Sequence, residues 1–181
     1  MKEFKNKYRS KINEYLLYFF VYAFLGWVLE TVFSYFVLGY FDNRGFLIGP
    51  ICPIYGFGML ILIMWLSRYK DNNIKLFVIS AIVLTFFEYV VGYALDAIFQ
   101  LKWWDYTNDF LNINGRVCLS YALGWGIIAI IVIKYIHPFI VKLLKKIKNK
   151  APFLLEDSVL KLFFVILVMD IILSSMQYLQ K

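Results

Sequence analysis

The sequence predicts an all-α protein, a polytopic transmembrane helix bundle of about five spans, and three observations predict it. Hydrophobic residues make up 62% of the 181 and charged residues only 17%, where a soluble domain is nearer half and a quarter. The apolar residues are gathered into runs of about 20, the length that crosses a bilayer as helix. The basic residues collect in alternate connections, as loops retained on one side of a membrane do.

The first run, about 16–38, follows a charged segment and lacks a small-residue cleavage site, so it reads as a permanent span rather than a signal peptide. Further spans are predicted at about 46–66, 74–99, 117–136 and 159–179, all within one membrane domain over 1–181. Thirteen basic residues fall on one side: Lys2, Lys5, Lys7, Arg9, Lys11, then Arg68, Lys70, Lys75, then Lys142, Lys145, Lys146, Lys148 and Lys150. Arg44, Lys102, Arg116 and Lys181 fall on the other. This bias predicts a cytoplasmic N-terminus and an outer C-terminus. The excess of +7 anchors the chain to anionic lipid; it does not read as a nucleic-acid surface. Between about 136 and 148, Ile136, Phe139, Ile140, Leu143, Leu144 and Ile147 recur at helical spacing against a lysine face. That pattern predicts a basic interfacial helix, lying on the inner leaflet or docking a cytoplasmic partner.

The stretch "NRGFLIGPICPIYGFG", residues 43–58, is the least helical in the chain yet leads into the second span. A helix starting after Pro53 has only 13 residues to Leu66, about 20 Å against a hydrocarbon core of about 30 Å. Phe46 to Pro53 is therefore expected at membrane depth in irregular conformation, which is stable only when buried in protein or lining a wet cavity. The alternative is a helix beginning near Pro50 with proline in its first turn.

A second segment, "NINGRVCLSYALGWG", resembles it. Cys118, Tyr121 and Ala122 match Cys52, Tyr55 and Gly56, and each copy follows a span that carries a glutamate, Glu30 or Glu88. The match predicts an internal parallel duplication of a two-helix hairpin.

Glu30, Glu88, Asp96 and Asp170 all lie within spans, where an uncompensated charge costs at least about 2.5–3.5 kcal/mol. Each must face protein or water. Glu30, Glu88, Asp96, Arg44 and Arg116 are expected to converge on one cavity, joined from the polar connections by Asn43, Tyr55, Asp105, Tyr106 and Asn114. These ten residues form the candidate substrate pocket. The competing reading is structural: the two arginines neutralise two carboxylates and lock the bundle. Cys52 and Cys118 are expected as free thiols rather than a bridge. No nucleotide-cradling loop, Cys-x-x-Cys or His-rich constellation occurs, so no cofactor or metal is expected and any ATP hydrolysis belongs to a partner.

Taken in order, "FLGWVLET", "NRGFLIGPICPIYG", "FEYVVGYALD", "WWDY" and "NGRVCLSYALGWG" resemble the CmpB-like bacterial membrane proteins of the ABC-transporter type IV permease family. The resemblance covers about 18–139 and departs at Asp96, where family members commonly carry glutamate. It implies a membrane-embedded transport component that binds a polar or amphiphilic solute from the outer face and works with a separate cytoplasmic ATPase through Lys142 to Lys150. Five spans are few for a solitary path, which implies a homo-oligomer or larger assembly. Two other classes stay open. One is an outer-leaflet enzyme on a lipid-linked or headgroup substrate, with Glu88 or Asp96 as acid or base and Arg44 and Arg116 as anion clamps. The other is a non-catalytic membrane scaffold.

Overall fold

A computed structural model describes residues 2–41, 45–150 and 156–180. It is all helical apart from one isolated bridge between Ile113 and Val117. In chain order the helices are α1 (Lys2–Leu38), α2 (Pro53–Ile61), α3 (Asn73–Phe99), α4 (Leu119–Ile131), α5 (His137–Lys150) and α6 (Asp157–Leu179). Among the described residues, four helical stretches are long and apolar enough to cross a membrane: Lys11–Val37, Asn73–Phe99, Leu119–Lys150 and Asp157–Leu179. The chain is a multi-pass membrane protein.

The fifth expected span is the short one. Helix starts at Pro53, after bends at residues 45–50 and irregular backbone at 51–52, so the two prolines set the boundary as their fixed φ and missing N–H dictate. From Pro53 the chain stays helical to Tyr69, but five residues, Leu62–Leu66, are π-helical and the last turn is 3₁₀. A second π segment, Val132–Ile136, joins α4 to α5. The segment expected as a basic interfacial helix is thus the unbroken continuation of the fourth span.

The chain divides into two compact units, Met1–Leu60 with Lys145–Lys181, and Ile61–Leu144. In the first, α1 carries a core of Phe19 and Ala23, closed by Leu47 from the bend segment and Leu167 from α6. Gly56 approaches α1 so closely that a Cβ there would lie 2.6 Å from the Phe19 ring and 2.9 Å from the Phe19 carbonyl oxygen. Small residues let helices meet in this way where no water-driven force presses them together. α1 ends on Gly39, at φ +77°, whose N–H donates to the Tyr35 carbonyl at 2.9 Å.

In the second unit α3 packs along α4. Leu76, Ser80, Leu84 and Glu88 recur every four residues and are all buried, the stripe that one face of a helix presents to a neighbour. Asn72 caps the start of α3 by accepting from the Lys75 N–H at 2.9 Å. Gly126 repeats the role of Gly56: a Cβ there would lie 2.6 Å from the Phe77 ring and 3.0 Å from the Phe77 carbonyl oxygen.

The two units therefore repeat one hairpin, in a register different from the expected one. Phe19 lies eleven residues before Glu30, and Phe77 eleven before Glu88. Tyr55–Gly56 corresponds to Trp125–Gly126, and a π segment begins seven residues after each aromatic. The matching of Tyr121–Ala122 to Tyr55–Gly56 does not hold. What the fold repeats is an aromatic donor followed by a glycine that seats on phenylalanine, whereas Tyr121 stacks on Tyr106 at 4.3 Å between centroids.

Candidate functional site

In each hairpin the membrane glutamate receives a hydrogen bond from an aromatic residue of the returning helix. In the first unit the Tyr55 hydroxyl donates to Glu30. Gly26 makes this geometry available, since any Cβ there would overlap the Tyr55 ring. In the second unit the Trp125 indole N–H donates to Glu88 Oε2 at 2.8 Å. Glu88, only 5% exposed, also accepts the Tyr106 hydroxyl on Oε1 at 3.2 Å. Both carboxylate oxygens are used, as a buried acid requires.

The loop after α3 is built onto this pair. Gln100 stops α3 in the left-handed conformation, φ 54°, with its N–H on the Asp96 carbonyl. Gly92 leaves space on α3 for the Trp104 ring, which a Cβ would meet at 3.1 Å. The Trp104 indole N–H donates to the Arg116 carbonyl at 2.8 Å. Arg116 pairs with Asp96, 17% and 28% exposed at the side chain, and its guanidinium carbon lies 5.4 Å from the centre of the Tyr93 ring and 5.8 Å from that of Tyr89. Its Nε is buried without an acceptor among the described residues. Gly92, Leu95, Asp96, Lys102, Trp103, Trp104 and Arg116 line a shallow, open recess with room for about one water molecule.

The other loop residues brace this arrangement. The Asn114 amide donates to the Tyr89 hydroxyl at 2.9 Å, and the Tyr106 N–H to the Gly115 carbonyl at 2.8 Å. Asp105 accepts the hydroxyl and the N–H of Thr107, and pairs with Lys102 at 3.2 Å. Those hydrogen bonds, Thr107 first and then Lys102, hold its carboxyl below the usual carboxylate range. A Gly115 side chain would collide with this turn, 2.5 Å from Thr107 Oγ1, and its φ of +66° suits glycine.

Of the sequence-predicted site residues, Glu88, Asp96, Tyr106, Asn114 and Arg116 are thus gathered on α3 and its loop. Asp105 lies in the same loop, but its bonds go to Thr107 and Lys102. Glu30 and Tyr55 form their own pair in the first unit. Asn43 and Arg44 lie outside the described residues. Cys52 and Cys118 are both buried, and no disulfide joins them.

Sequence reasoning missed Trp125, although "LGWG" offers an aromatic–glycine pair to set against Tyr55–Gly56. It also left Asp170 without a partner. That carboxylate accepts two backbone N–H groups of the bend segment, Ile48 at 3.0 Å and Gly49 at 2.9 Å, with the Ser174 hydroxyl at 3.0 Å.

Set against known proteins, the chain matches one family model, described as "Putative ABC-transporter type IV", over residues 17–175. No curated protein and no solved structure matches it.

Proposed function

Since the chain belongs to the ABC-transporter type IV family, we propose that it is the membrane-embedded component of a transporter that takes up a polar or amphiphilic solute at the outer face and draws its energy from a separate cytoplasmic ATPase. The observation that carries this reading is the polar cluster of the second unit. A nearly buried Glu88 and the Asp96–Arg116 pair are built into an apolar hairpin, and Asp96 and Arg116 line a shallow open recess. Ionisable groups at such positions are costly and mark solute paths more often than they serve packing. The guanidinium with an unused donor, the indoles of Trp103 and Trp104 and the Asp96 carboxylate suit a solute with both polar and apolar parts. The positive-inside bias puts this loop outside and Lys142 to Lys150 inside, where a basic helix end offers a surface to an acidic ATPase.

Extraction of the full chain from its own membrane in mild detergent, followed by native mass spectrometry and an ATPase assay, tests the proposal. An ATP-hydrolysing subunit should accompany the chain, and reversing Lys142, Lys145, Lys146 and Lys148 to Glu should remove it. If no ATPase is retained and the isolated chain turns over a lipid-linked substrate, the transport reading gives way to the enzyme.

A further inference from the structure

The loop between α3 and α4 carries its apolar residues on the outside. Phe110 is 75% exposed, Leu111 63% and Ile113 58%. In a loop so rich in Asp and Asn, solvation would put the polar side chains outward and these three inward. Leu111 moreover stands at φ +52°, the left-handed conformation that a bulky apolar residue avoids.

The bonds on either side of Leu111 impose that conformation. The Asn112 amide donates to the carbonyls of Thr107 at 2.9 Å and Asp109 at 3.1 Å, and its oxygen accepts the Gly115 N–H at 3.1 Å. The Phe110 carbonyl accepts the N–H of Leu119, the first residue of α4, at 3.3 Å. A strained residue kept in place by its surroundings is a reason to look for a function. Here the effect of the strain is to turn two large apolar side chains away from the protein.

Their level along the helices indicates what they meet. Glu88 binds Trp125 of α4 and Tyr106 of the loop, which fixes a common height. Phe99, at the end of α3, is eleven residues beyond Glu88, about 16 Å along the axis, while Leu119 is six residues before Trp125, about 9 Å. The loop therefore climbs to the end of α3 and folds back by about 7 Å to reach α4, carrying Phe110 down to the first turn of that helix. Trp103 and Trp104, just past the end of α3, are of the type that settles at headgroup level. Phe110, Leu111 and Ile113 thus stand beside the start of a membrane span.

We propose that Phe110, Leu111 and Ile113 form an apolar wedge seated in the lipid leaflet at the boundary between headgroups and acyl chains. The proposal is independent of the solute and of any ATPase.

Its test uses the full chain in nanodiscs, with Cys52 and Cys118 replaced by Ser and one cysteine introduced at Leu111, Phe110 or Asn108 to carry an environment-sensitive fluorophore. Probes at Leu111 and Phe110 should emit to the blue of the probe at Asn108, be quenched by nitroxide-labelled lipid and lose quenching by iodide. The Asn108 probe should show the reverse. Iodide quenching at Leu111 and Phe110 equal to that at Asn108 would overturn the proposal. So would shielding from both quenchers, which would mean that a protein covers the loop. Should Leu111→Cys fail to yield folded protein, the Phe110 probe decides alone.

Discussion

Replacing Asp170 with Asn should release the bend segment of the first unit, and the size of the effect follows from the donors that face it. Asp170 accepts the Ile48 N–H on Oδ1 and the Gly49 N–H on Oδ2. Backbone amides can only donate, so an Asn side chain answers one of them with its carbonyl and confronts the other with its own N–H₂. One charge-assisted hydrogen bond is lost, while the Ile48 N–H keeps the Ser174 hydroxyl oxygen at 3.2 Å as a second acceptor, so the cost is about 1–2 kcal/mol. The close seat depends on glycine at 49, where a Cβ would lie 2.8 Å from Oδ2. Cys52, 4% exposed at the end of this segment, reports the opening, its N–H bound to the Ala23 carbonyl at 3.0 Å. In a Cys118→Ser background under native conditions, labelling of Cys52 should accelerate by roughly 5- to 30-fold in Asp170→Asn, the factor that about 1–2 kcal/mol of local stability represents. A change of less than about twofold would show that apolar contacts such as Leu47 hold the segment, and the reasoning from donors would fail.

Glu88 should behave differently, because one of its donors can reverse. In Glu88→Gln the carbonyl keeps the Trp125 N–H and the amide donates to the Tyr106 hydroxyl, so detergent stability should fall by less than about 1 kcal/mol. Glu88→Leu should cost about 1–3 kcal/mol by stranding the indole N–H, and equal melting of the two variants would contradict this. Alanine at Gly56 or Gly126 should destabilise by about 1–3 kcal/mol, since the new methyl meets both a ring and a backbone oxygen. Gly124→Ala, with nothing within 4 Å, is the control and should melt like the parent. The turn at Asp105 should loosen only in acid. Its folded-state pKa is depressed, so its contribution is present above the unfolded value near 3.8 and is lost as pH falls through the lower folded value. Amide exchange at Thr107, corrected for its intrinsic rate, should show protection at pH 5 that is lost progressively as pH falls below the ordinary value of 3.8.

How much of this was legible in the sequence depended on whether a residue's partner was local. The spans follow from apolar length, and the start of α2 follows from Pro53, because both are properties of short stretches. The presence of acids in the spans was equally plain, and cost alone demanded partners for them. Who those partners are was not legible. Asp170 is answered by backbone amides 121 and 122 residues away, and an amide carries no signature in sequence. The cysteine–tyrosine spacing points to Tyr121 and away from Trp125. The repeat is instead defined by geometry: a donor that reaches the glutamate, then a glycine that fits against phenylalanine. Tyrosine and tryptophan both supply the donor, and residue identity hides the equivalence.

The same repeat separates scaffold from chemistry. Carried onto the first hairpin, the spacing that equates Glu88 with Glu30 sets Asp96 against Leu38 and Gly92 against Ser34. The first copy therefore has neither the acid that pairs with Arg116 nor the gap that admits Trp104. What the copies share is the carboxylate tied to an aromatic donor, the glycine seat and the π segment, all of which fix one helix against another. What they do not share is where each finds its remaining polar groups: the first copy turns to Asp170 of α6, the second to its own loop. A duplicated hairpin needs its clasp in both halves, and a solute site can be elaborated in one. On that argument substitutions at Glu30 and Tyr55 should act on assembly of the fold, while Asp96, Arg116 and Trp104 are the positions at which solute specificity should change.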